Sequence, residues 1–220
     1  MEAEFWLDGW EAGQTAFDQA DPHRWLDRWW PTLDLASDST VFVPLSGRSV
    51  DMVWLAGRGH RVIGVELSSI AVEGFFVAVE LDPEIRSVGE LTVYSSGPYE
   101  LWCGDLFAMP KSAFESVGGV YDRASLVALP PEMRVRYAQF LIEVLSPDVP
   151  WFLVSFSYDQ SEMDGPPHSV PPEEIADLFG SVYEIESVVD ESVIERAAPL
   201  RERGLSALRE TLSILRRSRH

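Results

Sequence analysis

The 220-residue chain carries 36 Asp and Glu against 17 Lys and Arg, a net charge of −19, with 46% hydrophobic and 11% aromatic residues. So acidic a surface repels phosphate backbones, which argues against a nucleic-acid partner, and no apolar run approaches the ~20 residues of a membrane span. The single Cys103 permits no internal disulfide and the acidic start lacks the sign of a secretory leader, so one globular domain, monomeric and cytoplasmic, is expected.

Residues 1–36, rich in Trp and acids, read as a helical cover ahead of an α/β core over 37–220. Glu4 to Gly13 reads as a short helix, and Pro22 to Trp30 as another, capped by Asp21 and ended by Pro31. Thr40 to Leu45 is a β-branched apolar run leading into Ser46-Gly47-Arg48. Asp51 to Arg58 reads as a helix closed by Gly59, Arg61 to Val65 as a buried strand ending at Glu66, and Ile70 to Val79 as a helix capped by Ser68. Strand, helix, strand, helix in so short a span predicts a parallel sheet with right-handed crossovers. Leu91–Tyr94 and Tyr99–Cys103 pattern as a hairpin, and Gly118–Tyr121 as a strand ending at Asp122. A helix from Pro130 to Leu145, a buried strand from Trp151 to Phe156, a helix from Pro172 to Phe179 and a strand from Val182 to Val189 follow. In the tail, Leu205, Leu208, Leu212 and Leu215 fit a helical stripe slightly better than an alternating strand.

In open parallel sheets ligands bind beyond the carboxyl ends of the strands. Gly47 stands at the first such end, and a lone glycine there, taken alone, is better explained by a tight turn. Glu66 ends the second strand 19 residues later, where a carboxylate can accept both hydroxyls of a ribose. The missing phosphate-loop glycines favour a nucleoside without a pyrophosphate, a description that S-adenosylmethionine meets. Asp105 follows the third strand end, either against an adenine edge or as a turn or helix cap. Arg123 follows the fourth, either pairing with a carboxylate or anionic substrate or forming a surface ion pair. The four His and one Cys show no metal spacing. The N-terminal Trp residues are either core or a cover with aromatic faces against a sulfonium.

Ordered blocks along nearly the whole chain add a further signal. They are Phe5-Trp-x-x-x-Trp10, Gly13-Gln-Thr-Ala-Phe17-Asp-Gln19, Val43 to Met52, Trp54-Leu-Ala-x-Arg-Gly-His60, Gly64-Val-Glu-Leu-Ser68, Tyr121-Asp-Arg-Ala-Ser-Leu126, Ser157-Tyr-Asp-Gln160 and Gly165-Pro-Pro-x-x-Val170. In this the sequence resembles the thiopurine S-methyltransferase family, particularly its bacterial members. The resemblance implies a Rossmann-like class I methyltransferase fold with a seven-stranded, mostly parallel sheet flanked by helices and an antiparallel last strand, which turns the tail from helix to strand. It implies S-adenosylmethionine as cofactor, S-adenosylhomocysteine as product and no metal. Trp10, Leu45, Glu66 and Arg123 fall on cofactor-holding positions, Asp105 and Leu106 on the adenine-contacting pair, and Phe17 on an aromatic position of the substrate pocket. Ser46 and Arg48 stand where Cys and Lys are usual, Asp18 where His is common, and His168 where Phe is common, the last two bearing on substrate preference.

The expected activity is in-line transfer of methyl to the sulfur of a thiol or thiopurine-type substrate. Arg123 is the candidate to stabilise a thiolate, and Asp18 or His168 to take a proton. The alternatives are a selenium or tellurium oxyanion, halide or thiocyanate as acceptor, a non-catalytic nucleoside sensor, and a nicotinamide oxidoreductase, which the missing loop glycines disfavour.

Overall fold

In a computed structural model, residues 3–15, 19–123 and 125–217 are described. The chain divides into two compact units, one ending at Gly119 and one beginning at Val120. No helix among the described residues is long and apolar enough to cross a membrane.

The first unit opens with α1 (Ala3–Glu11) and α2 (Leu26–Trp29). The helix expected from Pro22 to Trp30 is therefore shorter, and it passes into a 3-10 turn over Trp30–Leu33. Pro31 does not end that turn but sits in its first positions, where a missing N–H has no intrahelical role. There follow β1 (Thr40–Val43), α3 (Val50–Gly57), β2 (Arg61–Glu66), α4 (Ser69–Ala78), β3 (Glu84–Val88), β4 (Leu91–Ser96) and β5 (Tyr99–Cys103). Ser49 caps α3 and Ser68 caps α4, each accepting a backbone N–H with its side chain. Gly59 closes α3 at φ +96, as the sequence predicts.

The strand order in this unit is β3-β4-β5-β2-β1. β1, β2 and β5 run parallel, and β4 and β3 extend the edge antiparallel. Val41, Phe42, Met52, Leu55, Val62, Val65, Val72 and Phe75 form the buried layer between sheet and helices. β3 escapes the sequence reading because it is an exposed edge strand with charged residues at Glu84 and Arg86, and only β4 gives it a partner.

The second unit holds the end of β6 (Val117–Asp122), then α5 (Ser125–Ala128), α6 (Pro131–Val144), β7 (Trp151–Ser157), α7 (Pro172–Phe179), β8 (Tyr183–Ser192), α8 (Ala198–Glu202) and β9 (Arg209–Arg217). Its strand order is β6-β7-β9-β8, with β6 and β7 parallel and β9 antiparallel to both neighbours. The tail is thus a strand, as the resemblance implies. Its helical appearance came from two packing environments. Leu205 and Leu208 join Met163 and Val193 in a satellite cluster ahead of β9, whereas Leu212, Ile214 and Leu215 lie within it. Glu210 through Leu215 are all buried, so the strand shows no alternation.

The α/β class and the parallel core are as expected, but the described residues carry nine strands rather than seven. The two extra strands are β3 and β4, added by the hairpin that runs into β5.

Asp122, 1% exposed at the end of β6, accepts the Ser125 N–H at 3.0 Å and the Tyr137 hydroxyl at 2.6 Å. One carboxylate thereby caps α5 and holds α6. Burial, then the charge of Asp122, push the Tyr137 hydroxyl well above its usual range, so it stays a donor. Tyr137→Phe removes a hydrogen bond to a charged group, worth about 1.5–3 kcal/mol, and is expected to lower Tm by roughly 3–12 °C in a calorimetric scan.

Candidate cofactor site

The site grows from the turn after β1. Leu45 and Gly47 both adopt left-handed backbone, at φ +45 and +52. A branched residue rarely takes that conformation. It is held here because the Ser46 N–H donates to the Val65 carbonyl at 2.9 Å, which staples the turn to β2. The turn also needs room. A Cβ on Gly64 would come within 2.6 Å of Leu101 Cδ2 and 2.9 Å of Ser46 Oγ. Gly64 therefore interrupts an otherwise apolar strand because the turn and β5 approach it from two sides.

Glu66, 8% exposed at the end of β2, is the centre of the arrangement. One carboxylate oxygen accepts the Gly47 N–H at 3.0 Å and the other the Ser68 N–H at 2.9 Å. Burial pushes its carboxyl above the ordinary value of 4.5, and backbone donors at Ser68, Gly47 and Leu67 pull the other way. A carboxylate offers about four acceptor positions, and the donors at Gly47, Ser68 and Leu67 do not fill them all, so acceptor capacity remains for a ribose hydroxyl.

Three further expected residues belong to this same unit. Trp10, 5% exposed, brings its indole to 3.5 Å from where a Gly47 Cβ would stand, and α1 lies against α4. The Arg48 guanidinium stands 5.4 Å from the Trp10 ring centre. The Gly104 N–H donates to the Glu66 carbonyl at 2.8 Å, which brings the Asp105-Leu106 pair to the same strand end. Asp105 is exposed and caps a 3-10 turn by accepting the Phe107 N–H at 3.0 Å, while Leu106 is buried. The capping alternative for Asp105 is thus present, and it leaves the carboxylate exposed for other contacts. Cys103 is half-buried, and burial followed by the charges of Glu66 and Glu73 pushes its thiol upward, so it stays protonated. Phe17 and Asp18 lie outside the described residues.

Arg123 lies in the second unit directly after β6 and is partly exposed. In that unit the Ser157–Gln160 and Gly165–Val170 blocks interlock. The Tyr158 hydroxyl donates to the Pro167 carbonyl at 2.6 Å, Ser169 N–H to Gln160 Oε1 at 2.9 Å, and Ser169 Oγ both accepts the Tyr158 N–H and donates to the Tyr158 carbonyl. The Gly165-Pro166 and Pro166-Pro167 bonds are cis. His168, 8% exposed, donates its backbone N–H to the Val127 carbonyl of α5 at 2.6 Å.

Sequence reasoning missed the partners that shape the site: the amides of Gly47 and Ser68, the clearance at Gly64, and the Tyr158–Gln160–Ser169 clamp. A glycine inside a buried strand and polar residues directly after one were the available signals. Among the described residues no three or more His, Cys, Asp and Glu gather to hold a metal.

This α/β arrangement with a parallel core is the class I methyltransferase fold. Solved structures share it. A 1,6-didemethyltoxoflavin-N1-methyltransferase from Burkholderia thailandensis aligns with TM-score 0.67 and 16% identity, covering 99% of this chain and 87% of that one. A SAM-dependent methyltransferase from Methanosarcina mazei aligns with TM-score 0.63 and 16% identity, over 90% of this chain and 100% of that one. The profile of the Thiopurine S-methyltransferase family matches residues 1–218. Thiopurine S-methyltransferases from Pseudomonas fluorescens and Pseudomonas putida strain F1 are 42% and 43% identical, covering 98% and 99% of this chain and 99% and 100% of theirs. The chain belongs to the thiopurine S-methyltransferase family and is a S-adenosylmethionine-dependent methyltransferase.

Gly64→Ala forces either Leu101 or the Ser46 turn to move. A cost of about 1–3 kcal/mol is expected, read as a fall in Tm of roughly 2–10 °C, together with weaker binding of S-adenosylhomocysteine in calorimetry.

Proposed function

We propose that this enzyme methylates the sulfur of small thiol or thiopurine-type molecules, with Glu66 holding the ribose of the cofactor. The observation that carries the cofactor half of this reading is the buried Glu66 carboxylate, oriented by backbone amides that include those of Gly47 and Ser68 and do not fill its acceptor capacity. When bound, S-adenosylmethionine supplies a sulfonium methyl that a nucleophile displaces in line, the thioether leaving uncharged. The chain's own residues then have few tasks: to hold two centres collinear, worth about 7–11 kcal/mol, and to keep water out. Trp10 and the segment around it serve as the cover over the turn. Leu45 shapes that turn, Leu106 and Asp105 take the adenine, Phe17 lines the substrate pocket, and Arg123 receives the methionine carboxylate or steadies an anionic acceptor. The assignments of Phe17 and Arg123 rest on the resemblance. A thiol acceptor is supported by family membership and by family names alone. A monomeric, cytoplasmic enzyme without nucleic-acid or membrane partners is supported by the −19 charge and the single cysteine.

Glu66→Ala is expected to weaken S-adenosylhomocysteine binding by about 1.5–3 kcal/mol in a folded protein, and unchanged affinity would remove Glu66 from the ribose role. Because diol hydroxyls favour the charged carboxylate, wild-type affinity should decline as pH falls through the raised Glu66 range, above the ordinary 4.5. Glu66→Gln should lack that decline. Removing residues 1–20 should abolish transfer while leaving most of Tm; full activity would dispose of the cover. A methyl-transfer screen over aromatic thiols, aliphatic thiols, selenite, tellurite and iodide decides the acceptor class, and turnover only on non-sulfur acceptors would overturn the sulfur assignment.

A further inference from the structure

The helix α1 depends on very little for its place. Its nine residues fall short of the ~12–15 that an isolated helix needs in water. It carries Glu4, Asp8 and Glu11 and no basic residue. Among residues 4–11 only Trp10 is buried. Where the Trp10 ring sits therefore decides where the helix sits. The ring lies on the turn after β1, 3.5 Å from where a Gly47 Cβ would stand, and that turn aims the Gly47 N–H at Glu66. The next residue, Arg48, places its guanidinium carbon 5.4 Å from the ring centre, within reach of a cation–π contact. Arg48 also lies against α4, where a Cβ on Gly74 would stand 3.6 Å from both its Cδ and its Nη1. Glycine is a poor helix former, yet it occupies the middle of α4. There it leaves a flat berth for the guanidinium, which any side chain longer than a methyl would displace. Since α1 also contacts α4, Arg48 links three elements of the first unit: the turn, the cover helix and α4.

We propose that Arg48 is a positioning residue for cofactor binding: its guanidinium, seated on Gly74, holds the Trp10 ring against the Gly47 turn and so keeps α1 closed over the cofactor. This rests on the reading of Trp10 as cover in the proposed function. Arg48 acts through Trp10 and is assigned no contact with the cofactor. Its charge matters because the face of an indole is negative. Its shape matters because a planar guanidinium can lie flat on a ring and on a glycine backbone at once, which the point charge of a lysine cannot do as well. A cover that is closed for only part of the time raises the apparent dissociation constant in proportion to the closed fraction lost. Arg48 raises that fraction before any cofactor arrives. Because Arg48 is exposed, the gain is limited to what a solvated cation–π contact supplies.

The test is a double-mutant cycle read by calorimetric titration with S-adenosylhomocysteine. Arg48→Met keeps the stem and removes the charge, and it should raise Kd about two- to fivefold, the range of an exposed cation–π contact. Trp10→Leu should raise Kd at least as much, and adding Arg48→Met to it should change Kd by less than about 1.5-fold. A loss from Arg48→Met that is as large without Trp10 as with it overturns the proposal, and so does no loss with Trp10 present. Arg48→Lys should fall between wild type and Arg48→Met; a lysine no better than methionine overturns the role of the charge. A second readout needs no cofactor. In protein labelled with fluorotryptophan, the Trp10 fluorine resonance, assigned by its loss in Trp10→Phe, should shift in Arg48→Met, while that of Trp151 in the second unit stays in place. A Trp10 resonance that Arg48→Met leaves unmoved overturns the proposal. Trp10→Leu protein that binds as tightly as wild type removes the cover reading itself and Arg48's role with it, and wild-type protein that binds no S-adenosylhomocysteine overturns the cofactor reading.

Discussion

A buried carboxylate needs donors, and at Glu66 they include two backbone amides that lie 21 residues apart in the chain, Gly47 and Ser68. Meeting that need ties the turn after β1 to the start of α4. It also explains the left-handed backbone at Leu45 and Gly47, because only a tight reversal aims the Gly47 N–H at the end of β2. The clearance at Gly64 and the Ser46–Val65 bond follow from the same closeness. A cofactor ribose would meet a carboxylate that is already oriented, so little ordering would be left for binding to accomplish.

The second unit uses the same device with a different result. Asp122 also ends a parallel strand and is also buried, but it is committed to Ser125 and to the Tyr137 hydroxyl. Its task is to place the segment after β6, where Arg123 leaves the sheet. Nearby, Arg134 is almost fully buried, donating to the Leu129 and Ser169 carbonyls and pairing with Glu174 at 2.5 Å. It connects the start of α6 to the clamped loop and to α7. The surface ion pairs, such as Arg201 with Glu195, are exposed and contribute little by comparison.

Much of the secondary structure was legible because local rules agreed with packing. The helix from Pro172 to Phe179 has a proline start and one apolar face, and it forms over those residues. Ser49 and Ser68 cap as their chemistry dictates. Misreadings came where packing differed from the local signal. β3 is mostly exposed and gains its strand from β4, so no run of its own residues announces it. β9 is covered on both faces, which erased alternation and left leucines at helical spacing. At the site, Glu66 and its strand end were readable from spacing. The amides that orient it were not, because backbone donors carry no residue signature.

The order of β1, α3, β2 and α4, the acid closing β2, and the glycine in the turn were set by the sequence, since strand propensity, caps and chain reversals depend on neighbours in the chain. The ordered blocks likewise identified the family. Only the tertiary structure decided that the sheet material extends to nine strands, that backbone amides orient Glu66, and that His168 is buried with an unmatched nitrogen. Each of these depends on which residues distant in the chain approach within hydrogen-bonding distance. That approach is fixed by burial of the whole core and not by any local run.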